Sequence, residues 1–146
     1  MRWRIVPTYR TASEEETVAL GERLAGELPG RGVVLLIGNL GAGKTTLAKG
    51  IVRGRGAAEH DDVSSPTLTL IREYGTAGSV YHIDLYRLEE ARQVATLGLE
   101  EIFDRDALVL IEWGERFPQL MPAGRTEIHI RPLENDEREI EVRQVP

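Results

Sequence analysis

The eight residues Gly38-Asn39-Leu40-Gly41-Ala42-Gly43-Lys44-Thr45 place three glycines ahead of a lysine and a hydroxyl. They satisfy every fixed position of G-x-x-x-x-G-K-[ST], the Walker A pattern of a P-loop. Holding phosphate explains the residue types. Glycine reaches backbone conformations closed to other residues, so successive N–H groups can turn inward around phosphate oxygens. A helix opening at the same turn adds its N-terminal partial positive charge. Lys44 is spaced to reach the β- and γ-phosphates and the Thr45 hydroxyl to ligate magnesium, so ATP with Mg2+ is the expected ligand. Asn39, Leu40, Gly41, Ala42, Gly43, Lys44, Thr45 and Thr46 form the expected cradle. Glycine makes up about 7% of average sequence, so a chance match in a chain this short has odds of roughly one in a few hundred. The N-K-x-D element that reads guanine is absent, which favours adenine.

A P-loop hydrolase also needs an acidic residue at the end of a neighbouring strand, to hold the metal or its water. Two apolar runs end this way. Ala107 to Ile111 runs into Glu112, the first choice for the magnesium shell; Val80 to Ile83 runs through His82 into Asp84, which suits orientation of the attacking water. The polar stretch Asp61 to Thr67 follows the expected P-loop helix, where nucleotide switches carry a hydroxyl that senses the γ-phosphate. Ser65 and Thr67 are its candidates, against the plainer reading of a connecting loop whose exit Pro66 fixes. Trp113 follows Glu112 and either packs on nucleotide or partner or simply fills space behind a core strand. His82 reads as a strand histidine with a local hydrogen bond; no second histidine stands at ligand spacing. Arg87 suits a phosphate or a carboxylate equally.

These residues need strands and helices to hold them. Trp3 to Val6 reads as a short strand. Ser13 with Glu16 makes a capping-box start for a helix carrying Val18, Leu20, Leu24 and Leu28, which should stop near Pro29-Gly30. The unbroken apolar run Val33 to Ile37 reads as a strand buried on both faces. The P-loop turn follows, then a helix from Lys44 to Arg53 closed by Gly54 and Gly56. Ala57 to Thr67 is irregular. Leu68 to Tyr74 and Val80 to Leu85 read as strands around a turn at Gly75 to Gly78, Glu89 to Leu97 as a helix, and Ala107 to Ile111 as a second central strand. Glu127 to Arg131 and Arg138 to Val145 alternate and should form a terminal hairpin. Interleaved strands and helices predict an α/β, P-loop NTPase-like three-layer fold, with a mixed, mostly parallel central sheet and a C-terminal antiparallel hairpin.

At 146 residues, with no repeat or low-complexity tract, a single domain over 1–146 is expected. No apolar run approaches the roughly 20 residues of a membrane span, and Met1 to Arg10 lacks a signal-peptide centre, so the expected location is cytoplasmic. The absence of cysteine excludes disulfides and thiolate metal sites. A formal charge of -6 argues against a broad grip on nucleic-acid backbone by this surface alone.

Four stretches, GNLGAGKTTLAKG from Gly38, SSPTLTLIREY from Ser64, YHIDLYRL from Tyr81 and LIEWGER from Leu110, together resemble the TsaE (YjeE) family. These are small bacterial P-loop ATPases required for threonylcarbamoyladenosine formation in tRNA. The resemblance spans about Glu14 to Ile130 and includes T-x-x-L-G-E-R-L-A from Thr17. It implies Lys44 on phosphate, Thr45 and Glu112 on magnesium, Ser65-Pro66-Thr67 as a first switch and His82 to Arg87 as a second. It also implies a catalytic contribution from Asp84, a conformational role for Trp113, and an adenine pocket near Glu14. Asn39 stands where the family commonly has Asp, and Leu68 where it commonly has an aromatic residue. The implied activity is slow, partner-stimulated ATP hydrolysis. With a TsaB-TsaD assembly it supports the threonylcarbamoyl modification of adenosine 37 in tRNAs reading ANN codons, the tRNA being handled through the complex. Two other functions use the same motif: a small-molecule kinase, which needs an Arg-rich lid not seen here, and a non-catalytic adaptor that nucleotide merely stabilises.

Overall fold

A computed structural model describes residues 6–57, 70–75 and 79–146. The chain runs β1 (Thr8–Thr11), α1 (Glu14–Ala25), β2 (Gly32–Ile37), α2 (Lys44–Gly54), β3 (Ile71–Tyr74), β4 (Val80–Asp84), α3 (Ala91–Ala95), α4 (Leu99–Phe103) and β5 (Leu108–Glu112). Two 3-10 turns, Gly114–Arg116 and Pro118–Leu120, then lead to β6 (Arg125–Pro132) and β7 (Arg138–Val145). Among the described residues the seven strands join one sheet in the order β1-β7-β6-β2-β5-β4-β3. Its centre, β6-β2-β5-β4, is parallel throughout, and β7, β1 and β3 add antiparallel flanks.

The apolar runs are continuous because the central strands are covered on both faces. Val34, Leu36, Leu108, Leu110 and Val80 pack with Leu24, Leu47 and Ile51 of α1 and α2. Their alternates Val33, Leu35, Val109, Ile111 and Ile83 pack with Val94, Leu99 and Ile102 of α3 and α4, together with Phe117 and Met121. Each face thus buries the set of side chains that a period of two directs to it. The result is helix, sheet, helix, the three layers expected.

Local signals mark most boundaries. The Ser13 Oγ accepts from the Glu16 N–H at 3.1 Å, and the Glu16 carboxylate accepts from the Ala12 N–H at 3.1 Å, which opens α1. The regular helix ends at Ala25, earlier than Pro29-Gly30, although the Leu28 N–H still reaches the Leu24 carbonyl at 2.9 Å. The third helix is shorter than expected, confined to Ala91–Ala95, and a separate five-residue helix at Leu99–Phe103 follows after Gly98 at φ +73°. The first strand among the described residues is Thr8–Thr11; of the strand expected over Trp3 to Val6, Val6 is exposed and outside β1, and Trp3 to Ile5 lie outside the described residues. The strand forms there because residues 8–11 find antiparallel partners in β7, an edge no local pattern reveals.

Helices α1 and α2 touch through glycine. A β-carbon at Gly50 would lie 2.1 Å from the Val18 carbonyl oxygen and 2.9 Å from the Gly21 Cα, both unyielding backbone. Helix propensity favours alanine over glycine at an interior position by about 0.5–1 kcal/mol. Overpacking costs about 1–3 kcal/mol and more where backbone must move, so the clash decides the sign. Gly50→Ala is therefore expected to destabilise the fold by about 3 kcal/mol, read as a lower urea midpoint at unchanged slope; a midpoint equal to or above wild type would contradict this packing.

Candidate functional site

Parallel strands end together, and the ends of β2, β5 and β4 bring the expected chemistry into one row. Leu36 of β2 stands opposite Glu112, which stands opposite Asp84. The chain leaves β2 through Gly38, turns at Gly41 (φ +80°) and Gly43 (φ +108°), and enters α2 at Lys44. Those two left-handed positions need glycine, and they bend the loop back over the strand end. A cavity of about 380 Å³ opens there, lined by Glu14, Leu40, Gly41, Gly43, Lys44, Thr45, Thr46, Asp84, Tyr86, Glu112, Trp113 and Arg138.

Lys44 is only 4% exposed. Its Nζ donates to the Gly38 carbonyl at 2.8 Å and lies 3.5 Å from the centre of the Trp113 ring. Burial lowers its pKa from the ordinary lysine value, while the carboxylates of Glu112, Glu115 and Asp84 act in the opposite sense and favour the charge. The Thr45 hydroxyl donates to Glu112 Oε2 at 3.1 Å, with Oε1 at 3.4 Å. Glu112 Oε2 also meets His82 Nε2 at 2.6 Å, in a pair buried from solvent. Asp84 is 4% exposed and accepts from the Tyr86 N–H at 2.9 Å through Oδ1, which curls the chain back at the end of β4.

Trp113 adopts a left-handed backbone (φ +68°) directly after β5. That reversal brings its ring over Lys44 and against Tyr86, the ring centres 5.2 Å apart. Arg116 joins the two strand-end loops. Its guanidinium donates to the Leu85, Tyr86 and Leu88 carbonyls and sits 5.5–5.9 Å from the rings of Tyr86, Trp113 and Phe117. Glu115, beside it, is raised above the ordinary carboxylate pKa, chiefly by burial. Leu40 (71% exposed) and Tyr86 (42%) leave an apolar rim on the mouth of the cavity.

Of the residues singled out in the sequence, Glu14, Leu40, Gly41, Gly43, Lys44, Thr45, Thr46, Asp84, Glu112 and Trp113 come together here. Asn39 and Ala42 do not line the cavity. Asn39 is exposed, and Ala42 is buried with its N–H bonded to the Asn39 carbonyl at 3.0 Å, so the two close the turn from behind. Arg87 is exposed and outside the lining. Ser65, Pro66, Thr67 and Leu68 lie outside the described residues.

Sequence reasoning missed Arg138. It reaches the loop from β7, so that a β-carbon on Gly43 would come within 2.8 Å of its Nε. Among the described residues its buried Nη1 has no hydrogen-bond partner. An orphaned donor of this kind is costly unless it meets an acceptor. No motif surrounds Arg138 in an alternating strand, so only the tertiary pairing of β7 could reveal it.

Thr45 and Glu112 offer a hydroxyl and a carboxylate, the hard oxygen donors that magnesium prefers. Among the described residues no group of three or more His, Cys, Asp or Glu converges on a metal position. The described helices include none long and apolar enough to cross a membrane.

Comparison with known proteins identifies the family. The family described as "Threonylcarbamoyl adenosine biosynthesis protein TsaE" matches residues 11–140. The Bacillus subtilis (strain 168) protein named tRNA threonylcarbamoyladenosine biosynthesis protein TsaE is 39% identical over 133 residues, covering 90% of this chain and 82% of that one. Its Haemophilus influenzae namesake is 40% identical over 111 residues, covering 75% and 68%. The crystal structure of Bacillus subtilis YdiB superposes with a TM-score of 0.76 at 33% identity, over 99% of this chain and 90% of that one. A match across nearly the whole chain, at this identity and with the same fold, places the protein in the TsaE family.

Proposed function

We infer that this protein binds ATP with Mg2+ in the cavity at the end of β2, hydrolyses it slowly, and serves tRNA threonylcarbamoyladenosine formation together with TsaB and TsaD. The observation that carries the reading is the convergence of Lys44, Thr45 and Glu112 at one strand end, within a P-loop of a TsaE-family chain.

Lys44 exchanges the Gly38 carbonyl for phosphate oxygens, and the loop's N–H groups, with the start of α2, supply the remaining positive field. Thr45 and Glu112 are the residues that would hold Mg2+, which supplies neutralisation of the β- and γ-phosphate charge when bound. Asp84, buried at the neighbouring strand end, is placed to orient water toward the phosphate. Trp113, packed against Tyr86, covers Lys44 from solvent, which strengthens the pull of the ammonium on an anion. Because Arg116 ties the loops after β4 and β5 together, a change at the phosphate end passes to the exposed Leu40–Tyr86 rim, the surface suited to a protein partner.

The test is a pull-down of TsaB-TsaD by this chain with and without ATP, paired with phosphate release in the presence and absence of that complex. Nucleotide-sensitive capture and faster release are expected. Capture that ignores nucleotide, with no phosphate formed, would favour the adaptor reading; label appearing on a small acceptor would favour a kinase.

Arg138 gives a separate prediction. With Nη1 lacking an acceptor beside Gly43, Arg138→Gln should weaken ATP and ADP binding about tenfold, an ordinary loss for one charge-assisted contact. The stability of the nucleotide-free protein should not fall, because among the described residues the buried Nη1 has no partner to lose. Fluorescence titration and thermal melting check both; unchanged affinity would remove Arg138 from the site.

A further inference from the structure

We propose that His82 is the positioning residue for Glu112, fixing one carboxylate oxygen so that the other can serve the metal. This rests on the nucleotide and magnesium reading above. His82 is fully buried in β4, on the pleat face it shares with Val80 and Asp84, opposite Leu110 of β5. An apolar side chain would fill that place without the cost of desolvating an imidazole. What the imidazole gains is a 2.6 Å contact from Nε2 to Glu112 Oε2. Since the carboxylate accepts, Nε2 carries the hydrogen; among the described residues the buried Nδ1 meets no hydrogen-bond partner, so Glu112 is the polar contact that accounts for the imidazole.

Glu112 Oε2 receives two hydrogen bonds in this structure, from His82 and from the Thr45 hydroxyl. The Thr45 hydroxyl can meet a cation through an oxygen lone pair while its hydrogen stays on Oε2, so both donors hold the same carboxylate oxygen. Of the two, His82 makes the shorter contact and comes from the sheet, whereas Thr45 belongs to the first turn of the P-loop helix. A glutamate held by one oxygen presents the second in a fixed direction, whereas a released one samples several rotamers and must be ordered on each binding event. The contact spans two neighbouring strands, so its position is set by the sheet and not by a mobile loop.

The experiment measures Mn2+ binding to the full chain in complex with ADP, by electron paramagnetic resonance of free Mn2+, so no turnover is required. His82→Ala is expected to weaken Mn2+ binding roughly 10- to 100-fold, the range for lost outer-sphere support. ADP affinity in EDTA should stay within about twofold, because no phosphate contact is touched. His82→Gln, whose amide nitrogen matches the reach of Nε2, should recover most of the Mn2+ affinity. In a Glu112→Ala background, adding His82→Ala should change Mn2+ binding no further, since the residue acts through Glu112. Should His82→Ala fail to fold, His82→Leu carries the same comparison with the cavity filled. Wild-type Mn2+ affinity in folded His82→Ala or His82→Leu, with only the melting temperature altered, would overturn the proposal and leave a packing role. An ADP complex of the unaltered protein that takes up no Mn2+ would instead sink the nucleotide and magnesium reading itself.

Discussion

Lys44→Ala is expected to lower the rate of ATP hydrolysis by about 10²–10³, the loss that follows removal of one buried donor aimed at developing charge. Two features make the effect large. The ammonium is almost fully buried under Trp113, and in a cavity of low dielectric its attraction for an anion exceeds that of a surface lysine. Burial lowers its pKa, yet Glu112, Glu115 and Asp84 hold it toward the charged form, so the site keeps a cation ready for phosphate. The same change leaves the Gly38 carbonyl without its 2.8 Å partner, a loss of roughly 1–3 kcal/mol if no water replaces it. Melting and phosphate release therefore have to be read together. A variant that is folded and hydrolyses at the wild-type rate would show that Lys44 is not the phosphate ligand.

Glu112→Gln should be comparably severe, about 10²–10³ in rate with a higher magnesium requirement, because the amide keeps the shape but loses the charge opposite the cation. Packing changes little. The oxygen of the introduced amide can still accept from Thr45 and His82, so the melting temperature should move far less than the rate. A second readout follows from Lys44. Glu112 is the largest of the carboxylates that hold its pKa up against burial, so removing that charge lets the Lys44 pKa fall further. The protonated lysine is the active form. In Glu112→Gln the alkaline limb of the residual rate should accordingly move to lower pH. Unaltered magnesium dependence together with an unmoved limb would contradict the placement of Glu112 beside both groups.

Much of this candidate site is legible in the sequence, and the reasons are local. Gly41 and Gly43 need left-handed backbone, and only glycine adopts it cheaply, so the turn announces itself. The runs of residues 33–37 and 107–111 are covered by helices on both faces, and continuous burial leaves a continuous apolar trace. Glu112 and Asp84 follow because parallel strands end at a common level. What escaped notice depends on distant pairing. Thr8–Thr11 becomes a strand only through β7, and Arg138 reaches Gly43 only because β7 lies beside β6 and β6 beside β2. His82 could be read as buried and hydrogen-bonded, but its partner stands thirty residues on, in an adjacent strand. Helix α4 is five residues long, too short for a periodic pattern to separate from the preceding turn.

The most direct measurement is calorimetric titration of the folded chain with ATP, first in magnesium and then in EDTA. A single saturable site, tighter with the metal and about 100-fold weaker or lost in Lys44→Ala, is the predicted result. A flat thermogram up to millimolar nucleotide, from protein whose circular dichroism and melting are native, would contradict the assignment of residues 38–45 as a phosphate cradle.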